Sequence, residues 1–475
     1  MCGVVGIIGN VSVAEELWLG LLAIQHRGQD TAGIVTYDND RFHSKRGNGT
    51  VQEVFEQKHL LALTGNAGIG QVRYPTIGSG SEEDAQPLLT NSPFGIAMVH
   101  NGNVANYGSL RTWITNNYHR HINTTNDVEV ILNVLAANLK DSSTNSPNEI
   151  FNALKAVMSK VNGSYSCITF IAGHGMLAFR DPQGIRPLKI GKKGKNFCIA
   201  SESVVLDTLG YKEMRDVLPG EAIFINMQRE MKSKIIKAKP ARHCIFEYIY
   251  FARPDSIMDN VEIYKARLKL GEEIARLVKK MKLKPDVVIP VPDTARTAAQ
   301  GAAEALKIPC REGLIKNRYI GRTFIMPREV NRAEKVRYKL NPLKCEIQGK
   351  KILLIDDSIV RGSTSKSIIS LIREAGPKEI YLASTCPPLR YPCFYGIDMQ
   401  TRKEFIANGR SLSQIQREIE SDKLIYQSLD GMLKSVGNGK LCCTACFTGD
   451  YPTEIESDDM LRIEKDRAKQ VSLWE

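Results

Sequence analysis

Lys351-Ile352-Leu353-Leu354-Ile355-Asp356-Asp357-Ser358-Ile359-Val360-Arg361-Gly362-Ser363-Thr364 is an apolar strand that runs into two adjacent carboxylates, a turn rich in hydroxyls with one glycine, and the start of a helix. A short apolar run closed by turn residues reads as a buried strand. The turn presents backbone N–H groups at a helix N-terminus, a ready anion site, and Ser358, Ser363 and Thr364 add hydroxyl donors. Two carboxylates beside such a site make physical sense if they bind sugar hydroxyls or Mg²⁺; facing a bare phosphate they would repel it.

Working outward, Asp286-Val287-Val288-Ile289-Pro290-Val291-Pro292 is a second short strand, followed by the turn Asp293-Thr294-Ala295-Arg296 and an alanine-rich helix through Ala305. Glu379 to Ser384 is a third strand, and a helix is expected over Ser367 to Glu374. Strands alternating with helices imply a parallel sheet with its ligand at the strand C-terminal ends. Upstream, the first ~235 residues carry glycine turns between short apolar strands, the pattern of an α+β layered domain. The basic stretch from Met231 to Arg242 is the candidate connection, and the tail from about Ser411 reads as helical and polar.

The chain opens Met1-Cys2-Gly3-Val4-Val5-Gly6-Ile7-Ile8-Gly9. With Met1 removed, Cys2 carries a thiol nucleophile and an α-amine able to act as its base; the two titrate near ~8.5 and ~8. Further along, Gln71-Val72-Arg73-Tyr74-Pro75-Thr76 offers an arginine on a strand, able to clamp a carboxylate in bidentate fashion. Val99-His100-Asn101-Gly102-Asn103 sets an amide side chain beside a glycine N–H, a pair suited to a tetrahedral oxyanion. Asp127 can pair with an ammonium.

The bulk numbers frame these sites. A chain of 475 residues is expected to form about two or three domains. Hydrophobic content of 43% and charged content of 24% exclude a disordered or fibrous chain. No apolar run approaches a membrane span, and no basic-then-apolar leader precedes Cys2. The net charge of +12 favours polyanionic ligands, nucleic acid or phosphorylated metabolites, without choosing between them. Eleven cysteines scattered along the chain point to a reducing compartment rather than a disulfide framework. Cys443 and Cys446 form a C-x-x-C, and Cys393 and Cys244 bring the set to four, which suits a [4Fe–4S] cluster or a structural Zn²⁺. Cys386 and Cys442 are spare or alternative ligands; Cys167, Cys198, Cys310 and Cys345 read as core thiols.

The stretch from Ile355 to Thr364 closely resembles the signature of type I phosphoribosyltransferases, which bind phosphoribosyl pyrophosphate (PRPP) on a parallel sheet flanked by helices. The resemblance implies that Asp356 and Asp357 hold the ribose hydroxyls and the Mg²⁺ environment. It implies that Ser358, Ile359, Val360, Arg361, Gly362, Ser363 and Thr364 hold the 5-phosphate. Val291 to Ala295 looks like the pyrophosphate-side loop, with Thr294 near the metal. Gly313 to Ile325 resembles the start of a loop that closes over PRPP, its Lys316 and Arg322 suited to the pyrophosphate.

The N-terminal set resembles the class II glutamine amidotransferase domain, an N-terminal-nucleophile fold built as an αββα sandwich, with further matches at His26 to Gly33 and Ala85-Gln86-Pro87. By that resemblance Cys2 is the nucleophile, Arg73 binds the glutamine carboxylate, Asp127 its amine, and Asn101 with Gly102 the oxyanion. Gln71 stands where many relatives have His and receives no role.

The two domains in this order resemble the amidophosphoribosyltransferase family, a match that includes Phe246 to Ser256 and Tyr395 to Met399. It implies that glutamine, PRPP and water give 5-phosphoribosylamine, pyrophosphate and glutamate, the entry step of purine synthesis, with ammonia passed between the sites. Mg²⁺ is implied, as is a [4Fe–4S] cluster on Cys244, Cys393, Cys443 and Cys446, which match the ligands of one subgroup. Purine nucleotide feedback inhibitors, a cytoplasmic homo-oligomer (dimer or tetramer), and no nucleic-acid or membrane partner complete the expectation. The expected division is a glutaminase domain over 1–235, a phosphoribosyltransferase domain over 236–410, and a helical segment over 411–475 on the domain interface. Two rivals are weaker. A class II amidotransferase with another acceptor leaves the 356–364 turn unexplained. A PRPP-sensing regulator that binds nucleic acid leaves Cys2, Arg73, Asn101 and Asp127 unexplained.

Overall fold

A computed structural model of the chain describes residues 2–75, 81–139, 146–317, 332–399, 401–437 and 439–474. The strand Cys2–Ile8 is buried along its whole length, because both of its faces are covered. Val5 and Ile7 point into a helix layer, while Val4 and Ile8 point into a second sheet. A fully buried side chain of this size contributes about 1.5–3 kcal/mol, so the central strand anchors the N-terminal half. Among the described residues this strand is the middle of a seven-stranded sheet, paired antiparallel with Ala67–Arg73 and Asn196–Ala200. The second sheet has six antiparallel strands and includes Ile96–Val104 beside Gly163–Ile171. Helices Ala14–Ala23 and Ser203–Leu209 cover the first sheet; Val128–Asn138 and Pro147–Lys160 cover the second. The layers are α-β-β-α, the sandwich expected of the N-terminal half.

The other half is a parallel sheet, Val287–Pro290, Lys351–Asp356, Glu379–Ser384 and Lys423–Tyr426 in that order. Helices Ile263–Lys280 and Arg296–Leu306 pack on one face; Ser363–Arg373 and Leu412–Glu418 pack on the other. Two expectations need correction. The segment from Ser411 is not all helix, since Lys423–Tyr426 closes the sheet; its Leu424 and Ile425 face opposite cores, and so short a run carries little periodic signal. The helix expected from Ser367 begins at Ser363. Gly362, at φ +78°, turns the chain sharply enough for the helix to start at once, and a side chain there would strike Ile406.

The halves are stitched at several points. His243–Cys244 pairs in parallel with Cys442–Cys443. The helix Ser457–Trp474 runs back over the sandwich, where Arg462 lies over the Tyr107 ring at 5.6 Å, and the Asn162 amide donates to the Glu454 carbonyl.

Candidate active site

Strand register assembles the N-terminal pocket. Cys2 lies opposite Arg73, and Arg73 lies opposite Thr31. Cys2 and Arg73 are both buried. The Cys2 carbonyl accepts from Arg27 Nε at 3.1 Å. Asn101 arrives from the second sheet, and both polar atoms of its amide are buried without a hydrogen-bond partner. Such groups cost about 1–3 kcal/mol each unless something fills them, so the amide is set for a ligand. A side chain on Gly102, at φ +156°, would meet the Ser164 carbonyl at 2.1 Å, so only glycine lets the two strands approach here.

Asp127 accepts the Val104 N–H at 2.9 Å and lies 3.5 Å from His100 Nδ1. Burial alone would raise its carboxyl; His100, the Val104 N–H and Arg73 outweigh burial and hold it below the usual carboxylate range. A buried cation, Arg73, opposite Cys2 and a buried anion, Asp127, that feels its charge are thus set close together. Sequence reasoning missed the scaffold behind them. Gln71, left without a role, donates to the His100 carbonyl at 2.5 Å and pins one sheet to the other. The Gln86 amide oxygen accepts the His100 N–H at 2.7 Å.

The second pocket is contiguous in sequence. The Asp357 N–H donates to Asp356 at 2.9 Å, and Ser358 Oγ donates to Asp357 at 2.6 Å. Burial, then the charge of Asp357, pushes Asp356 well above the ordinary carboxylate range. Burial also pushes Asp357 up to about 6, against the opposing effects of Ser358 and Arg267. Two carboxylates so disfavoured as anions fit a divalent cation. No side chain caps the Ser363–Arg373 helix, which leaves its first N–H groups to the turn. The Ile359 side chain belongs to the core, and the Arg361 guanidinium pairs with Glu404 at 2.7 Å, so these two offer only their main chain. Lys316 Nζ sits on Asp293 at 2.7 Å; Arg322 lies outside the described residues.

A cavity of about 670 Å³ opens over the phosphate turn and is walled by both halves of the chain. Its walls include Arg27 and Tyr74 from the sandwich, and Thr294, Asp357, Gly362 and Thr364 from the parallel sheet. Tyr250 to Pro254 of the junction form a third wall, and so does Arg267. Arg267 was missed, although the signal was legible. It stands on the apolar stripe of its helix with Ile263, Ala266, Leu270 and Ile274, where a charge needs a reason.

Cys244, Cys393, Cys443 and Cys446 are buried in one apolar cluster at the junction. Cys244 lies opposite Cys443 across the parallel pair. Burial pushes the Cys244 thiol up to about 11, and Cys443 and Cys446 well above the ordinary range, with neighbouring thiols adding to each. Among the described residues, no three His, Cys, Asp or Glu side chains close on a single ion. Cys345 is exposed and Cys310 half-buried, contrary to their expected place in the core; Cys345 lies on the short helix Lys344–Ile347, which buries only Ile347. Cys167 and Cys198 are fully buried. No helix among the described residues is long and apolar enough to cross a membrane.

Comparison with known proteins finds a separate domain family in each half. A glutamine amidotransferase domain matches residues 73–208, and a phosphoribosyl transferase domain matches residues 258–393. The amidophosphoribosyltransferase of Pasteurella multocida is 48% identical over 95% of this chain and 93% of its own. Glutamine PRPP amidotransferase from B. subtilis, solved in complex with ADP and GMP, is 38% identical, with a TM-score of 0.88 over 96% of this chain and 98% of that one. A structure described as the allosteric regulatory enzyme of purine biosynthesis, also 38% identical, gives a TM-score of 0.89 over 98% and 99%. A buried thiol on the central sandwich strand and a phosphate-type turn at the end of a parallel strand, in a chain this similar to those enzymes over nearly its full length, mean that it belongs to the amidophosphoribosyltransferase family.

Proposed function

We propose that this chain converts glutamine, PRPP and water into 5-phosphoribosylamine, pyrophosphate and glutamate, the first step of purine synthesis. The observation that carries the reading is the single cavity with walls from both halves. With Met1 removed, the Cys2 amine takes the thiol proton, and the thiolate attacks the glutamine side-chain amide carbon. Arg73 and Asp127 hold the carboxylate and ammonium of the substrate. Asn101 and the Gly102 N–H donate to the oxyanion. The tetrahedral adduct expels ammonia, and water cleaves the thioester to glutamate and free thiol. Ammonia then attacks the anomeric carbon of PRPP and displaces pyrophosphate. Protonated ammonia has no lone pair to attack with, so a walled path that keeps out water preserves the nucleophile.

Asp356 and Asp357 bind the ribose hydroxyls, and the turn from Ser358 to Thr364 binds the 5-phosphate. Mg²⁺, held near Thr294 and the two carboxylates, supplies charge neutralisation for the pyrophosphate. Lys316 and Arg322 complete the pyrophosphate side. Cys244, Cys393, Cys443 and Cys446, buried together at the junction, would hold a [4Fe–4S] cluster, a group bound through four cysteine thiolates. The limits proposed from the sequence are 1–235, 236–410 and 411–475, with residues 412–426 of the last segment completing the parallel sheet of the second domain. The chain works in the cytoplasm as a homo-oligomer, a dimer or tetramer, and purine nucleotides inhibit it; the relative bound to ADP and GMP supports the last point.

The test is phosphoribosylamine formation from glutamine and PRPP with Mg²⁺. Synthesis is expected, with glutamine hydrolysis slow unless PRPP is present. Equal hydrolysis with and without PRPP, or no synthesis, overturns the reading.

A further inference from the structure

The junction segment Phe246 to Ser256 contributes more than a wall. Residues Glu247–Phe251 form a π-helical turn, a form that is rare and concentrated at functional sites. Its first residue, Glu247, reaches two arginines of the sandwich, Arg27 and Arg186. Glu247 Oε1 accepts from Arg27 Nη2 at 2.6 Å, and Arg27 Nε in turn donates to the Cys2 carbonyl at 3.1 Å. The other guanidinium nitrogen of Arg27 binds Glu202 of the sandwich. Arg27 is therefore oriented by two carboxylates, one from its own half and one from the junction. All three side chains are buried.

The far side of the turn is held from the other half. Arg267 Nε donates to the Tyr248 carbonyl at 2.9 Å, and its Nη2 donates to the Ala252 carbonyl at 2.8 Å. One guanidinium thus grips the turn near both of its ends. Arg267 is buried, lines the same cavity as Asp357, and its charge is felt at that carboxylate. Charge placed at Asp357 pulls on Arg267, and Arg267 cannot shift without moving two carbonyls of the turn.

We propose that the π-helical turn Glu247–Phe251 is the positioning element between the two sites: Arg267 senses the occupant beside Asp357, and Glu247 passes the turn's position through Arg27 to the carbonyl of Cys2. Glu247 and Arg267 are positioning residues here, since neither touches the reacting atoms. The inference rests on the function proposed above.

The test is a double-mutant cycle on the full-length enzyme with Glu247→Gln, Arg267→Lys and both together. The readouts are the factor by which PRPP stimulates alkylation of Cys2 by a glutamine-like diazoketone, kcat and KM for glutamine, and ammonia-dependent synthesis. Each single variant is expected to lower the PRPP stimulation by about 2- to 30-fold, the range for residues that carry coupling. The loss should fall on glutamine-dependent kcat rather than on KM. The double variant should lose no more than the worse single variant, because the two act in series. Multiplying losses, or full stimulation in Glu247→Gln, overturn the inference. If Glu247→Gln does not fold, Glu247→Asp replaces it, with the same expected direction. Wild-type enzyme without PRPP-stimulated alkylation sinks the functional reading instead, so the two failures are distinguishable.

Discussion

The two pockets are built on opposite plans. The phosphate turn gathers its groups from adjacent positions, Asp356 through Thr364, at the end of one parallel strand. The thiol pocket gathers Cys2, Arg73, Asn101 and Asp127 from three strands and one helix start, aligned by antiparallel register within each sheet and by the packing of one sheet on the other. The difference teaches where each is fragile. A contiguous site survives if one strand and one helix form; a register-built site is lost whenever either sheet slips, because a one-residue shift turns every side chain to the other face. The first plan suits a charge-rich ligand that a single loop can wrap. The second suits a small zwitterion met from several directions.

Substitutions sharpen that contrast. The largest effect is expected for Cys2→Ser, which should cut glutamine-dependent synthesis by about 10⁴-fold while ammonia-dependent synthesis survives. Loss of both together breaks the division into two sites. Next, Asp357→Asn should lower glutamine- and ammonia-dependent synthesis alike by about 10²–10³-fold, because the acceptor site serves both. A third measurement is the glutamine KM of Asp127→Asn, expected to rise roughly 10- to 100-fold, the worth of one charged hydrogen bond; an unchanged KM would remove Asp127 from the ammonium clamp.

The pockets also differ in the sign of their pH dependence. Asp357, raised to about 6 chiefly by burial, holds its proton more tightly in the folded chain than in the unfolded one. Its contribution to stability is full below the unfolded value and is lost as pH rises through about 6. Asp127 is held low despite burial, so its contribution is present above the ordinary carboxylate range and is lost in acid. Without Mg²⁺ and PRPP, the Tm of Asp357→Asn relative to wild type should therefore climb between about pH 4 and 6 and level off above. The deficit of Asp127→Asn should shrink toward about pH 3. Two Tm profiles that move together would contradict the assignment. The smallest effect belongs to Arg361→Ala, about 0.5 kcal/mol of stability, since its partly exposed side chain bonds Glu404 and only its main chain is left for the turn.

Legibility followed the same division. The phosphate turn could be read residue by residue, because strand, carboxylates, glycine and helix start are consecutive. Cys2, Arg73, Asn101 and Asp127 could each be given a chemistry from residue type, but only likeness to a family brought them into one site, since nothing local says that they meet. The groups behind them escaped notice. His100 and Gln71 meet across two sheets, and Glu247 and Arg27 lie 220 positions apart. The strand Lys423–Tyr426 was hidden for a related reason: with both faces buried it has no alternation to show.

By itself the sequence determined which chemical groups exist, where the local turns fall and which half carries which chemistry, since these depend on side-chain type and on neighbours along the chain. Tertiary structure decided which distant groups touch: the register that sets Arg73 opposite Cys2, the shared cavity, and the arginines that grip the junction turn. The reason is energetic. A buried charge has no favourable place until its partner is folded beside it, so such pairs are properties of the packed chain rather than of any one segment.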